Sequence, residues 1–314
     1  MSLMSKVLVT GGAGFIGSHI TDKLVELGND VVVVDNLSTG KRENLNPNAR
    51  FVEMDISQGE KVNELFAAEN FEYVFHLAAQ ASVSISVKDP VKDATWNIIG
   101  GLNLIKASVE HKVKKFIFSS TGGAMYGEDV KVFPTPESVS PQPMSPYGIA
   151  KFSVENYLRF FSKEFGLNYT VLRYGNVYGP RQDPYGEAGV IAIFTSRMLK
   201  GEDCTIFGDG EYTRDYVYVE DVVDANIKAM EKGDKLVINI GTATGTTTNE
   251  LFKVLKKLTG YKKDPIYGPH RPGDIRKSLL CYNRAWIELK WEPKYSLEEG
   301  LRKTVEWFKR NTKA

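Results

Sequence analysis

Cysteine is nearly absent from this chain. Cys204 and Cys281 are the only two in 314 residues, and neither sits in a C-x-x-C or histidine-rich spacing. That excludes a disulfide-stapled fold and a cysteine-ligated zinc site, and it reads as two reduced thiols in a cytoplasmic protein with no metal. An excess of charge is missing too: 40 Lys and Arg against 39 Asp and Glu leave a formal charge of +1. Nothing in that balance attracts nucleic acid or an anionic membrane. The longest apolar runs are of strand length and no basic-then-apolar leader opens the chain, so neither a membrane span nor a secretory segment is expected. Internal repeats and low-complexity segments are also lacking.

What is present is an alternation of strand and helix. Apolar runs at 7–10, 31–35, 51–53, 73–76, 115–119 and 169–173 read as strands, and helical patterns fall at 18–27, 62–68, 91–111 and 147–165. This predicts an α/β fold, a doubly wound parallel Rossmann sheet over residues 1–175. Beyond residue 173 the pattern loosens into a glycine- and proline-rich stretch at 174–189, followed by shorter helices at 191–200, 220–230, 249–258 and 297–310. Residues 176–314 are expected to form mainly a smaller C-terminal α/β substrate domain, with a crossing back to the main sheet left open. Ligands of such sheets bind beyond the carboxyl ends of the strands, where Gly11, Asp35, Asp55, Ala78, Ser119 and Tyr174 emerge.

The first strand runs into Gly11-Gly12-Ala13-Gly14-Phe15-Ile16-Gly17, a glycine turn that opens a helix. Glycine lets the backbone turn tightly and approach a pyrophosphate, while the free N–H groups of the helix N-terminus face the anion. The spacing is GxxGxxG rather than GxGxxG. Asp35 ends the second strand about 20 residues further on, where a dinucleotide site places a carboxylate. A carboxylate there accepts hydrogen bonds from the adenosine ribose hydroxyls and repels a 2′-phosphate, which favours NAD over NADP. The duller alternative is an exposed aspartate ending a strand.

Ser145-Pro146 is a strong helix start, an N-cap serine followed by a proline in the first turn. Tyr147 and Lys151, four residues apart, then share one helix face. A lysine at that spacing can hold a tyrosine as phenolate near neutral pH, which is what a base for a hydroxyl proton requires. The same spacing is common on ordinary amphipathic helices, and it gains force from the glycine turn upstream.

Seven segments now stand together: TGGAGFIGSH at 10–19, DNLSTG at 35–40, HLAAQ at 76–80, SSTGGAMYG at 119–127, PYGIAK at 146–151, LRYGNVYGPRQ at 172–182 and RDYVYVEDV at 214–222. They resemble the extended short-chain dehydrogenase/reductases, and within them the nucleotide-sugar 4-epimerases of the UDP-glucose 4-epimerase type. The resemblance covers nearly the whole chain. It implies a retained NAD, a UDP-hexose substrate, Tyr147 as the proton-transfer group, Lys151 as its partner and Thr121 as the residue that orients the sugar hydroxyl. It implies further that Gly11, Gly14, Phe15 and Ile16 cradle the pyrophosphate, that Asp35 meets the adenosine ribose, that Asn36, Ser38, Thr39 and Gly40 meet the adjoining ribose and phosphate region, and that Asp55 and Ile56 flank the adenine. Leu77, Ala78, Ala79, Gln80, Asn97, Ser119 and Tyr174 line the rest of that channel.

On the substrate side, the resemblance implies that Arg214 and Arg271 grip the diphosphate, since arginine matches phosphate oxygens with a planar fork. Asn176, Gly189 and Val190 contribute amide and backbone contacts, Thr205 and Phe207 border the uracil, and Asp274 meets the uridine ribose. The loop at 185–189 departs from the asparagine-bearing pattern of that family. Where galactose-restricted members carry a bulky tyrosine, this chain has Ser278, which leaves acceptance of UDP-GlcNAc and UDP-GalNAc open.

Related dehydratases carry an acidic pair beside the catalytic hydroxyl, whereas Thr121 is followed by Gly122-Gly123-Ala124-Met125. Elimination of water needs a general acid and base there, so their absence favours reversible oxidation and reduction alone. UDP-glucuronate 4-epimerisation, another nucleotide-sugar oxidoreductase or dehydratase, and a non-catalytic NAD-sensing protein remain as alternatives. The family habit implies a homodimer formed through the helices at 91–111 and 147–165.

Overall fold

A computed structural model describes residues 4–185, 189–270 and 275–311 of the protein. The chain begins with β1 (Lys6–Thr10), α1 (Phe15–Glu26), β2 (Asp30–Asp35), β3 (Arg50–Glu53), α2 (Gly59–Glu69) and β4 (Tyr73–His76). Three consecutive helical pieces follow, α3 (Val83–Lys88), α4 (Pro90–Ala94) and α5 (Gly100–Glu110), the last two joined through a π turn at Thr95–Ile99. β5 (Lys115–Thr121), α6 (Pro146–Phe165) and β6 (Tyr169–Tyr174) complete the pattern expected from periodicity.

The remainder comprises β7 (Asn176–Tyr178), α7 (Val190–Lys200), β8 (Thr205–Phe207), β9 (Thr213–Tyr218), α8 (Val219–Ala229) and β10 (Leu236–Ile240). After these come β11 (Gly245–Thr247), α9 (Thr248–Thr259), β12 (Ile266–Gly268), β13 (Lys277–Ser278) and α10 (Leu297–Asn311). The main sheet has seven parallel strands in the order β10-β6-β5-β4-β1-β2-β3, so the order reverses between β1 and β4. Strand β10 is the element that periodicity missed. It returns to the main sheet and pairs with β6 from Leu236↔Thr170 to Ile240↔Tyr174.

Both faces of this sheet are covered, which is why its strands read as unbroken apolar runs rather than alternating ones. Leu8, Val32, Val34, Phe116 and Phe118 meet Val62, Phe66, Leu104, Ile105, Val154 and Leu158 from α2, α5 and α6. The alternate residues Val7, Val9, Val31, Val33, Phe75 and Ile117 meet Ile20 and Leu24 of α1 and Val222 and Ala225 of α8. Successive side chains of a strand point to opposite faces, so one strand feeds two cores. A third core, with Tyr178, Phe194, Ile206, Tyr218, Leu251 and Leu255, binds α7 and α9 to the smaller sheets. There β9 lies between β11 and β13 and also pairs with β7, while β8 pairs with β12.

Two local features aim the site. The hydroxyl of Ser145 accepts from the Gly148 N–H at 3.2 Å and Pro146 opens α6, so the helix starts where the Ser-Pro pair predicts. The helix expected over 91–111 is instead widened by a π turn around Asn97, a local distortion found often at functional positions.

Candidate active site

The carboxyl ends of β1 to β6 lie along one edge of the parallel sheet. Gly11 follows β1 with φ +72°, and a Cβ there would lie 2.6 Å from the Ala78 backbone nitrogen. The ends of β1 and β4 therefore approach with no room for a side chain, which places Leu77, Ala78 and Ala79 against the glycine turn. Gly14 is the N-cap of α1 without a side-chain cap, so the N–H groups of Phe15 and Ile16 point outward from the helix start. Both residues are half-buried.

Asp35 ends β2 and is 8% exposed, with Oδ2 accepting from the Ala13 N–H at 3.1 Å and Oδ1 from the Leu37 N–H at 2.8 Å. Burial raises its pKa, and the two N–H donors oppose that rise. Two carboxylate oxygens offer about four acceptor sites, so capacity for a ribose diol remains. Gly40 keeps the approach open, since a Cβ there would come within 2.8 Å of Asp35 Oδ1. Asn36, Ser38 and Thr39 are exposed on the loop between, with Asn36 Oδ1 accepting from the Ser38 N–H at 3.0 Å. Asp55 and Ile56 follow β3; Asp55 holds its loop through the Ser57 N–H at 2.8 Å, and Ile56 is buried near Gly100. These groups fit a dinucleotide: close backbone, an uncapped helix start and a carboxylate at the expected strand end.

Thr121 closes β5 opposite Tyr174 of β6, and its Oγ1 accepts from the Ala124 N–H at 3.2 Å. Lys151 is 4% exposed; its Nζ donates to the Ser119 carbonyl at 2.9 Å and lies 4.8 Å from the Phe118 ring centre and 5.9 Å from that of Tyr147. Burial pushes the lysine pKa down to about 8, with Asp93 and Glu155 opposing the fall. Tyr147 behaves differently from the expectation of a lysine-lowered phenol. Burial first, and then the Asp93 charge, raise its pKa above the ordinary value, so the protein alone holds the phenol neutral. The Tyr-x-x-x-Lys spacing carries no information about that burial.

Asn97 does not project freely into the channel. Its Oδ1 accepts from the Gln80 backbone N–H at 2.9 Å and its Nδ2 donates to the Gln80 carbonyl at 2.9 Å and to Asp93 Oδ1 at 3.0 Å. It fixes the loop that follows β4. The Tyr174 hydroxyl is likewise engaged, donating to Asn226 Oδ1 at 3.0 Å, and burial pushes its pKa up to about 12.

Among the substrate residues, Arg214 of β9 lies opposite Ser278 of β13, so the structure brings these two together. Ser278 lines a cleft with Gly122, Gly123, Tyr126, Phe133 and Leu280. Gly122 is more than a flexible turn: a Cβ on it would stand 2.4 Å from Leu280 Cδ1, so the loop bearing Thr121 packs tightly on the segment bearing Ser278. Asn176 is half-buried on β7 beside β9. Gly189 is the N-cap of α7 and Val190 its first residue, while Thr205 and Phe207 lie on β8. Arg271 and Asp274 fall outside the described residues.

Several polar groups around the site were not legible as candidates. Arg173 grips Glu155 with Nε at 3.0 Å and Nη2 at 2.6 Å, and its Nη1 donates to the Tyr126 hydroxyl at 2.9 Å. His76 hydrogen-bonds Thr10 through Nδ1 at 2.9 Å; burial and the Lys151 charge pull its pKa down to about 3, so it is neutral. Asp93 is 1% exposed and precedes Asn97 by one helical step of four, the one signal that could have found it. Among the described residues no group of three metal-ligating side chains occurs, and no helix is long and apolar enough to cross a membrane.

A sequence profile of the NAD dependent epimerase/dehydratase family matches residues 7–241. The chain is 66% identical to a UDP-glucose 4-epimerase from Thermotoga maritima solved with UDP-glucose, with a TM-score of 0.97 over 98% of this chain and 99% of that one. It is 45% identical to a UDP-glucose 4-epimerase from Thermus thermophilus in complex with NAD, with a TM-score of 0.91 over 97% and 99% of the two chains. A UDP-N-acetylglucosamine 4-epimerase from Methanobrevibacter ruminantium, in complex with UDP-N-acetylmuramic acid, shows 40% identity and a TM-score of 0.93 over 98% and 99%.

Proposed function

The chain belongs to the NAD dependent epimerase/dehydratase family, and from that premise we propose that it interconverts UDP-glucose and UDP-galactose by inverting C4 through a 4-keto sugar. One observation carries this reading beyond family likeness. Lys151 Nζ lies 5.9 Å from the Tyr147 ring centre and donates to the carbonyl of Ser119, two residues before Thr121, and the nearest carboxylates on the Thr121 loop, Glu128 and Asp129, are exposed. Proton exchange is thus provided for, and elimination is not.

The Gly11 to Ile16 turn and Asp35 would hold NAD, which would supply a reversible acceptor for the C4 hydride. Tyr147 exchanges the proton of the sugar 4-hydroxyl, and Thr121 at the end of β5 orients that hydroxyl. The Lys151 ammonium, 5.9 Å from the Tyr147 ring centre, opposes the cost of charge on the phenol. A phenol held neutral by burial is also ready to give its proton back to the C4 oxygen in the return half. Arg214, with Arg271, neutralises the diphosphate, while Asn176, Gly189, Val190, Thr205, Phe207 and Asp274 border the nucleotide. Serine at position 278, where galactose-restricted members of the family carry a bulky tyrosine, supports turnover of the 2-acetamido sugars as well.

The partner is a second copy of the chain. Val83, Ile85, Val87, Val91 and Ile99 on the α3–α5 segment and Ile149, Tyr157 and Phe160 on α6 are exposed on helices that pack together, an apolar face of the kind that joins subunits. A cytoplasmic location is supported by two free cysteines, one of them buried. Incubation with UDP-galactose and no added NAD tests the function: UDP-glucose forms if it is right, and an unchanged substrate refutes it.

A further inference from the structure

Asp93 is a buried carboxylate beside the reacting pair that the chemistry above does not use. It sits in α4, which packs on α6, the helix of Tyr147 and Lys151. Its Oδ1 accepts from Gln80 Nε2 at 2.9 Å and from Asn97 Nδ2 at 3.0 Å. Its Oδ2 is buried with no hydrogen-bond partner among the described residues. Both neighbours of Oδ1 are N–H donors, as a carboxylate requires, and a proton placed on Oδ2 would find no acceptor. An unpaired buried acceptor is costly, and an amide would leave an unpaired buried donor in its place, so hydrogen bonding alone does not account for this residue.

The charges facing this carboxylate are few. The charge that acts on it is the Lys151 ammonium of α6, on which Glu155 also acts, and His76 of β4, which feels the same ammonium, is neutral. Glu155 and Arg173 form a closed, doubly hydrogen-bonded pair, buried on both sides. Asp93 is therefore the anion left to balance the Lys151 ammonium. We propose that Asp93 is a positioning residue for proton transfer: its carboxylate locks Gln80 and Asn97 at the site, and its charge holds Lys151 as an ammonium while Tyr147 exchanges its proton. This rests on Tyr147 and Lys151 carrying the reaction.

The charge acts on both partners in the same sense. A negative neighbour favours the protonated form of lysine and of tyrosine alike, and the Asp93 charge raises both pKa values here. Burial alone would strip the lysine of its proton earlier. Asp93 thus extends the pH range over which the ammonium persists, at the cost of a weaker tendency of the phenol to ionise.

Asp93→Asn separates the two roles, because the amide oxygen can still accept from Gln80 and Asn97 while the charge is gone. Two readings are taken on the holoenzyme: the pH dependence of UDP-galactose turnover, and the titration of the Tyr147 resonance in protein labelled with 13Cζ-tyrosine, assigned by its loss in Tyr147→Phe. The account requires both limbs of the pH profile and the Tyr147 midpoint to move to lower pH by at least about 0.5 unit. Unmoved limbs and an unmoved midpoint overturn it, whatever happens to kcat. Asp93→Ser, which also removes the charge, gives the same two outcomes should the amide variant fail to fold. Full activity in Tyr147→Phe would instead sink the reading of the site itself, so the two failures are distinguishable.

Discussion

Lys151 Nζ donates to the backbone carbonyl of Ser119 at 2.9 Å, and so the ammonium is anchored to the end of β5, the strand whose last residue is Thr121. Strand β5 and helix α6 thereby hold Thr121 and Tyr147, the residues proposed to orient the hydroxyl and exchange its proton, in one frame. Lys151 works from that frame as a fixed charge near Tyr147 rather than as its direct hydrogen-bond partner.

Tyr147→Phe removes the proton-exchanging oxygen and little else. Turnover of UDP-galactose is expected to fall roughly 10²- to 10⁴-fold, the usual contribution of a positioned acid or base. The retained NAD, read from its absorbance after the protein is denatured, should stay near the wild-type amount. A variant with normal turnover would remove Tyr147 from the reaction.

Lys151→Met separates function from stability. Activity should fall, yet the buried ammonium destabilises the fold, because its pKa drops from 10.5 to about 8 on burial. Between these values the unfolded chain binds more protons than the folded one, so this lysine's burden is full below pH 8 and is relieved as pH rises toward 10.5. The Tm of the cofactor-free native chain should therefore rise relative to that of the methionine variant as pH goes from 8 to 10.5. A relative fall of the native chain over that window would contradict the assignment.

Gly122→Ala meets the Leu280 side chain at 2.4 Å and should destabilise the protein by about 1–3 kcal/mol in urea unfolding. Leu280→Ala makes room, so the double variant should be less destabilised than the sum of the single effects. Gly123→Ala is the control: its nearest contact is Asn176 Oδ1 at 3.9 Å, and its effect should stay within about 0.5 kcal/mol. Strict additivity of the Gly122 and Leu280 effects would mean that the loop relaxes independently.

Ser278→Tyr puts a bulky side chain where serine lines a small cavity with Gly122 and Gly123. Competition between UDP-GlcNAc and UDP-glucose should shift against the acetamido sugar by roughly tenfold or more in kcat/KM. Equal losses for both substrates would place Ser278 away from the sugar.

Local geometry explains which parts of this molecule were legible in the sequence. Gly11, Asp35 and the Ser145 N-cap are dictated by a turn, a strand end and a helix start, each written in neighbouring residues, and the strands are near-continuous apolar runs because helices cover both faces. Strand β10 was not, since it finds its place by pairing with β6 across an intervening stretch of smaller sheets. The tight fit of Gly122 to Leu280, the binding of Asn97 to Gln80 and the neutral state of Tyr147 all arise from packing between distant segments. Asp93 belongs to the same class: its helix had to be laid against α6 before its charge could matter.

The central claim is that C4 is inverted by a hydride that never leaves the protein. Its most direct test is conversion of UDP-galactose in D2O, without added NAD, followed by proton and deuterium NMR of the product. The account predicts UDP-glucose that retains its original hydrogen at C4, with no NADH released. Deuterium at C4, or an equivalent of free NADH for each sugar consumed, would contradict it.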